Sequence, residues 1–108
     1  MTTLHIGALR DRLALETPGR TDDGGGGAAV TWTAVAELWA FVRPISGEER
    51  LRADQVAGRI THEVFIRHRP DVVPAMRFRA GARVLEITAV LDAGRRHRLK
   101  CLCEERFL

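Results

Sequence analysis

Trp39-Ala40-Phe41-Val42-Arg43-Pro44-Ile45-Ser46-Gly47-Glu48-Glu49-Arg50, then a polar stretch, then Thr61-His62-Glu63-Val64-Phe65-Ile66-Arg67-His68-Arg69-Pro70: this run decides the fold. An apolar strand stops at Pro44, which has no amide to give to a ladder. Ser46 and Glu49 form a capping box, the hydroxyl serving the Glu49 amide and the carboxylate reaching back to the Ser46 amide. The spacing predicts a helix of about three turns over residues 46–58, closed by Gly58. Glu48/Arg52 and Arg50/Asp54 stand one turn apart and add ion-pair support. Its apolar residues are only Leu51, Ala53, Val56 and Ala57. So thin a face is expected to lie over a sheet edge or against a neighbouring subunit. A second strand then runs from Ile60 to Arg69, with arginines at its far end.

Upstream, residues 30–43 alternate as a strand. Trp32, Leu38, Ala40 and Val42 share one parity and Val35, Trp39 and Phe41 the other, which predicts cover on both sides or a bulge that switches face. Residues 12–16 predict a first strand with Leu13 and Leu15 on one face, ended by Pro18 and Gly19. Residues 17–29 then read as a long flexible loop centred on Thr21-Asp22-Asp23-Gly24-Gly25-Gly26-Gly27, because consecutive glycines gain nothing by ordering. No Lys-Ser/Thr follows the glycines and a strand comes next, so this is no phosphate-cradling loop. Residues 1–11 form an N-terminal arm whose Leu4, Ile6 and Leu9 have no strand to belong to.

Downstream, a paired run within residues 76–91 turns at Gly81-Ala82, and a last strand over residues 96–105 follows Asp92-Ala93-Gly94. Residues 71–74 make the one longer connection. The sum is a mainly β chain: a small antiparallel β-barrel or sandwich of about six strands, with one short inserted helix and a long Gly-rich loop.

The 108 residues suit a single domain, 45% apolar and 29% charged, which excludes a disordered majority. No apolar run nears the roughly 20 residues that span a bilayer, and the start lacks the pattern of a secretory leader, so neither membrane nor export is expected. Cys101 and Cys103 sit at strand spacing on one face and read as buried thiols. The net charge of +3 is uneven: residues 1–58 carry 6 arginines against 8 acids, and residues 59–108 carry 11 basic groups against 6 acids. An acidic half and a basic half suit head-to-tail packing of like subunits as well as they suit nucleic acid.

Arginine recurs at strand spacing in the basic half: Arg67/Arg69, Arg77/Arg79 and Arg96/Arg98 beside Lys100. One reading is a basic stripe that touches DNA phosphates. The other is an ordinary solvated face or an intersubunit salt-bridge surface, favoured because no Phe or Tyr is seen to alternate with these arginines as a base-stacking platform requires. His62, His68, His97, Cys101 and Cys103 are the only candidate zinc ligands, and they lack a Cys-x-x-Cys knuckle or paired histidines. Ser46, the only serine, is already a helix cap, and no nucleophile–base–orienter trio can be nominated. No catalytic residue, metal or cofactor is expected, and a packed β strand accounts for the cysteines.

Taken in order, the segments resemble the head–tail adaptor family of tailed bacteriophages, also called head-closure or stopper proteins. The likeness is carried by Ile6-Gly7-Ala8-Leu9-Arg10-Asp11-Arg12-Leu13, Trp32, Val35-Ala36-Glu37-Leu38-Trp39-Ala40, Pro44-Ile45-Ser46-Gly47-Glu48-Glu49, Gln55 and Thr61-His62-Glu63-Val64-Phe65-Ile66-Arg67. It continues through Met76-Arg77, Leu85-Glu86-Ile87, Arg96-His97-Arg98-Leu99-Lys100 and Leu102-Cys103-Glu104-Glu105. The chain departs where the family usually has an aromatic, at His68 and near Leu85. The same module occurs in gene transfer agents. What the resemblance implies is a structural protein of the particle neck, made in the bacterial cytoplasm. It would form a homo-oligomeric ring, sixfold or twelvefold, between the portal/adaptor ring and the tail terminator or tail tube. The ring closes the DNA exit channel, docks the tail, and touches packaged DNA only transiently. Thr21, Asp22, Asp23, Gly24, Gly25, Gly26 and Gly27 are then the channel or docking loop candidates. Leu4, Ile6, Leu9, Arg10, Glu48, Glu49 and Arg52 are the subunit-interface candidates. The alternative function is a small basic β-barrel that binds nucleic acid.

Overall fold

Six strands follow one another among the described residues: β1 (Asp11–Asp22), β2 (Ala28–Pro44), β3 (His62–Arg67), β4 (Arg77–Ala80), β5 (Arg83–Asp92) and β6 (Arg98–Phe107). The computed structural model describes residues 10–22, 24–25, 28–46, 59–92 and 97–107. All pairings are antiparallel, and the order β1-β2-β3-β6-β5-β4 closes into a barrel through the β1–β4 contact. The helix expected over residues 46–58 falls almost wholly outside the described residues, as do Leu4, Ile6, Leu9, Glu48, Glu49, Arg52 and Arg96.

Alternation fills the barrel. Leu13 and Leu15 of β1, Val64 and Ile66 of β3, Phe78 of β4, Leu85 and Ile87 of β5, and Leu99, Cys101 and Cys103 of β6 all point into one core. Val72 and Met76, from the β3–β4 connection, close it. Both cysteines are free and buried. Burial pushes the Cys101 thiol up to about 12; Cys103 rises too, through its own burial and then through Cys101 beside it. A smaller outer cluster joins Ile45, Ile60 and Leu102, with Ala89 against it.

Two bulges shift the faces. In β2, Leu15 pairs with Ala36 but Glu16 with Ala34, so Val35 is the extra residue. The bulge explains the conflicting parity in this strand: residues after Val35 alternate into the core, and Trp32 before it turns outward. In β5, Ile87 pairs with Cys103 and Ala89 with Leu102, leaving Thr88 extra. The β4–β5 hairpin turns on Gly81 (φ 63) followed by Ala82, the positive φ that a two-residue turn opening on glycine requires.

The long loop shrinks. Pro18 and Gly19 do not end β1, which continues to Asp22, paired residue by residue with β2 from Thr17↔Thr33 to Asp22↔Ala28. The expected loop over residues 17–29 is therefore mostly ladder, and only residues 23–27 lie between the strands. Pro18 is tolerated because among the described residues β1 has no strand on its other side there: its pairing with β4 stops at Glu16, and an edge position does not need the amide. Gly19 meets Thr31, whose hydroxyl donates to the Gly19 carbonyl at 3.4 Å.

A projecting ribbon and its basic foot

β1 and β2 outrun the barrel. β2 leaves β3 at the Ala40↔Ile66 pair and β1 leaves β4 at Glu16↔Arg77. Beyond these points the two strands have only each other among the described residues. Six residue pairs at about 3.3 Å per residue give a free ribbon roughly 20 Å long. The molecule is elongated, 51 × 29 × 24 Å.

At its root the ribbon is clamped from outside. Arg77 Nε donates to Glu16 Oε1 at 2.6 Å, and the guanidinium carbon lies 4.0 Å from the centre of the Trp32 ring. Both charged residues are only 8% exposed, although they lie on the outward face of their strands. Trp32 can cover them only because the Val35 bulge turned it outward. Among the described residues no buried side-chain nitrogen or oxygen lacks a hydrogen-bond partner. A guanidinium stacked on indole and held by a carboxylate is the low-entropy way to keep an arginine dry.

Apolar side chains stay uncovered along β2: Val30 and Trp39 are each 51% exposed and Val35 is 43% exposed. Trp39 carries Arg12 at 5.0 Å from its ring centre, and Arg12 also reaches Glu37 at 3.3 Å. Phe41 and Phe65 stand beside it as a cross-strand pair, ring centres 6.1 Å apart and edge to face. Where β2 and β3 diverge an open cleft forms, lined by Leu38, Trp39 and Ile66 and rimmed by Arg10, Arg67, His68 and Arg69.

The arginines expected as one stripe are divided by the barrel. Arg77 is buried under Trp32. Arg79 donates to the Gly81 carbonyl at 2.9 Å, and Arg69 makes a two-armed bond to Asp71 at 2.9–3.0 Å. That bond holds the Asp71 carboxyl below its usual range and the Arg69 guanidinium above its own. Arg67 and Arg98 are directly opposite one another on β3 and β6. Aromatics do adjoin them, contrary to the expectation from sequence: Phe65, two residues from Arg67, shares its outward face, next to Phe41 and Trp39. The signal was present in Phe65-Ile66-Arg67, but Trp39 and Phe41 come from another strand.

The candidate metal ligands fall into separate groups, with His68 and His97 joined by a bond from the His68 amide to the His97 carbonyl at 2.9 Å. Cys101 and Cys103 are in the core, and His62 sits at the other end of β3 from His68, against Thr61 (2.9 Å) and Arg83 (3.3 Å). Arg83 in turn pairs with Glu105. Among the described residues no group of three His, Cys, Asp or Glu could hold a metal ion. Of the loop candidates, Thr21 and Asp22 fall in β1, Gly24 takes a positive φ of 80, and Asp23, Gly26 and Gly27 lie outside the described residues.

Comparison with known proteins places this architecture. No curated protein matches the chain. Several solved structures are similar, two of them over nearly their whole length. One is the solution structure of protein SF1141 from Shigella flexneri 2a, 32% identical, with 94% of this chain and 96% of that one covered and a TM-score of 0.75. The other is a chain from the virion of a native gene transfer agent particle, 34% identical, with 93% and 97% covered and a TM-score of 0.68. The sequence pattern of phage head completion proteins matches residues 4–106, and the chain belongs to that family.

Proposed function

We propose that this protein is a structural subunit of the neck of a phage or phage-like particle. Identical copies form a ring at the head–tail junction, which closes the DNA exit channel after packaging and gives the tail its docking surface. The reading rests on family membership across the whole chain and on a relative within a gene transfer agent virion. One observation carries it physically: a closed barrel, which has no free edges of its own, holds out a two-stranded ribbon whose outer edges are unpaired among the described residues. A rigid body with one projecting arm suits heterologous contacts that close into a ring. The head-side partner is the portal or adaptor ring, and the tail-side partner is the tail terminator or tail tube. The work is geometric and breaks no covalent bond.

Shortening the ribbon tip by deleting residues 23–27 tests this in assembling particles. The subunit should fold with unchanged melting behaviour while particles leak DNA or lack tails. Full, tailed particles carrying the shortened subunit would refute a sealing or docking role for the tip. An intact, leak-proof neck without this chain would refute the function altogether.

A further inference from the structure

Ion pairing among the described residues is lopsided. Glu16 is held by Arg77, Glu37 by Arg12, Glu63 by Arg43 and Lys100, and Asp71 by Arg69. Glu86 and Glu104 share Arg106, Glu105 takes Arg83, and Asp11 accepts the Val42 amide at 3.2 Å. The side chains of Arg67 and Arg98 bond to no described residue, and they face each other across β3 and β6. Like charges placed directly opposite destabilise a sheet. Two adjacent guanidinium groups left without an acid among the described residues suit a negative group brought by a partner.

The second observation is the edge beside them. Residues 28–39 of β2 pair only with β1, so on the far side of that strand a row of N–H and C=O groups is unmatched among the described residues. The run Ala-Ala-Val-Thr-Trp-Thr-Ala-Val-Ala-Glu-Leu-Trp holds one charge, no proline and no lysine. It lacks the guards that keep an exposed edge from adding a strand, whereas the open edge of β1 carries Pro18. The unguarded edge ends in the cleft floored by Leu38 and Ile66, whose rim includes Arg67.

We propose that the foot of β2 is a docking site for an extended acidic segment of a partner protein. The segment adds as a strand to β2, seats an apolar side chain on Leu38 and Ile66, and sets a carboxylate against Arg67 and Arg98. Backbone groups alternating along an edge are matched by another peptide and have no counterpart in a phosphodiester chain, which decides for protein over nucleic acid. Taking the partner to be a protein rests on the neck reading, but the site is measured on the isolated subunit. Failure here leaves the particle experiment above untouched.

The probe is a fluorescent decapeptide alternating valine and glutamate, with its valine–lysine counterpart and a short single-stranded oligonucleotide as controls. The glutamate peptide should bind and the lysine peptide should not, with amide shifts and slowed exchange in residues 34–39. The double variant R67E/R98E should weaken binding at least about tenfold, as expected for charge-assisted contacts. R67Q/R98Q should do so by less, and R20E, a charge reversal out on the ribbon, should change nothing. The proposal falls if no peptide binds or if the double variant binds normally. It falls equally if the oligonucleotide binds at Arg67 and Arg98 while the β2 amides are unmoved, since the site would then recognise phosphate.

Discussion

Arg77 lies on the outward face of a barrel strand, where an arginine ordinarily extends into water, and is nonetheless 8% exposed. Its cost of burial is offset by Glu16 on one side and the Trp32 ring on the other. Removing one member leaves the other charged and dry. Arg77→Ala is therefore expected to cost about 3–5 kcal/mol in urea unfolding, since the partner is left uncompensated. Replacing both, as E16L with R77M, should cost far less than the sum of the single changes. An additive result would show that the pair is not coupled. The cysteines give a second expectation at this scale. In the unfolded chain a thiol ionises near 9.0, whereas Cys101 in the folded barrel holds its proton to about 12. The unfolded state thus releases protons first, and stability should decline as pH rises from about 9 to about 12. Below that range the thiols contribute no slope, and native protein should resist alkylation that unfolded protein accepts.

Among the elements, the β1–β2 ribbon is the one whose behaviour differs from the barrel. Its ladder is continuous, yet an isolated two-stranded hairpin is marginal in water. The clamp at its root has to supply what a third strand would. Trp32→Ala removes the cover over Arg77 and the stacking with it. Amide exchange in residues 17–22 and 28–33 is expected to speed up about tenfold or more, on the order of the 1–2 kcal/mol that a desolvated cation–π contact carries. Amides of β3, β5 and β6 should change much less, because their protection reflects the core around Phe78, Leu85 and Cys101. Uniform loss of protection would mean that ribbon and barrel open together, and that the ribbon is no separate arm.

For the whole molecule, the surplus of positive charge is smaller in effect than the sequence suggests. Most cations in the described residues already hold a carboxylate. Among those that do not are Arg20, Arg59, Arg67, Arg98 and Arg79, which holds the Gly81 carbonyl instead, and only Arg67 and Arg98 are directly opposite each other. If duplex DNA met these five alone, the slope of log affinity against log salt would reach at most about −4.5, at roughly −0.9 per phosphate. Titration of a short duplex between low and physiological salt is expected to give such a shallow slope and weak binding, in keeping with the proposed place at a channel that DNA must leave. A steep slope with useful affinity would favour a nucleic-acid-binding barrel instead.

The mainly β architecture, the faces of β1, β3 and β6, the buried thiols and the family likeness were legible in the chain, because they depend on the order and alternation of neighbours in sequence. Leu13/Leu15, Val64/Ile66 and Leu99/Cys101 declare their side by period alone. The ribbon was not legible: Pro18, Gly19 and the glycines at the turn signal loop locally, while the pairing of residues 17–22 with 28–33 is a contact between strands. Nor could the charge pattern be read in order. Whether an arginine is buried under indole, spent on a carboxylate or set against another arginine depends on strand order and on a single extra residue at Val35. Those are properties of the closed sheet, and no local propensity contains them.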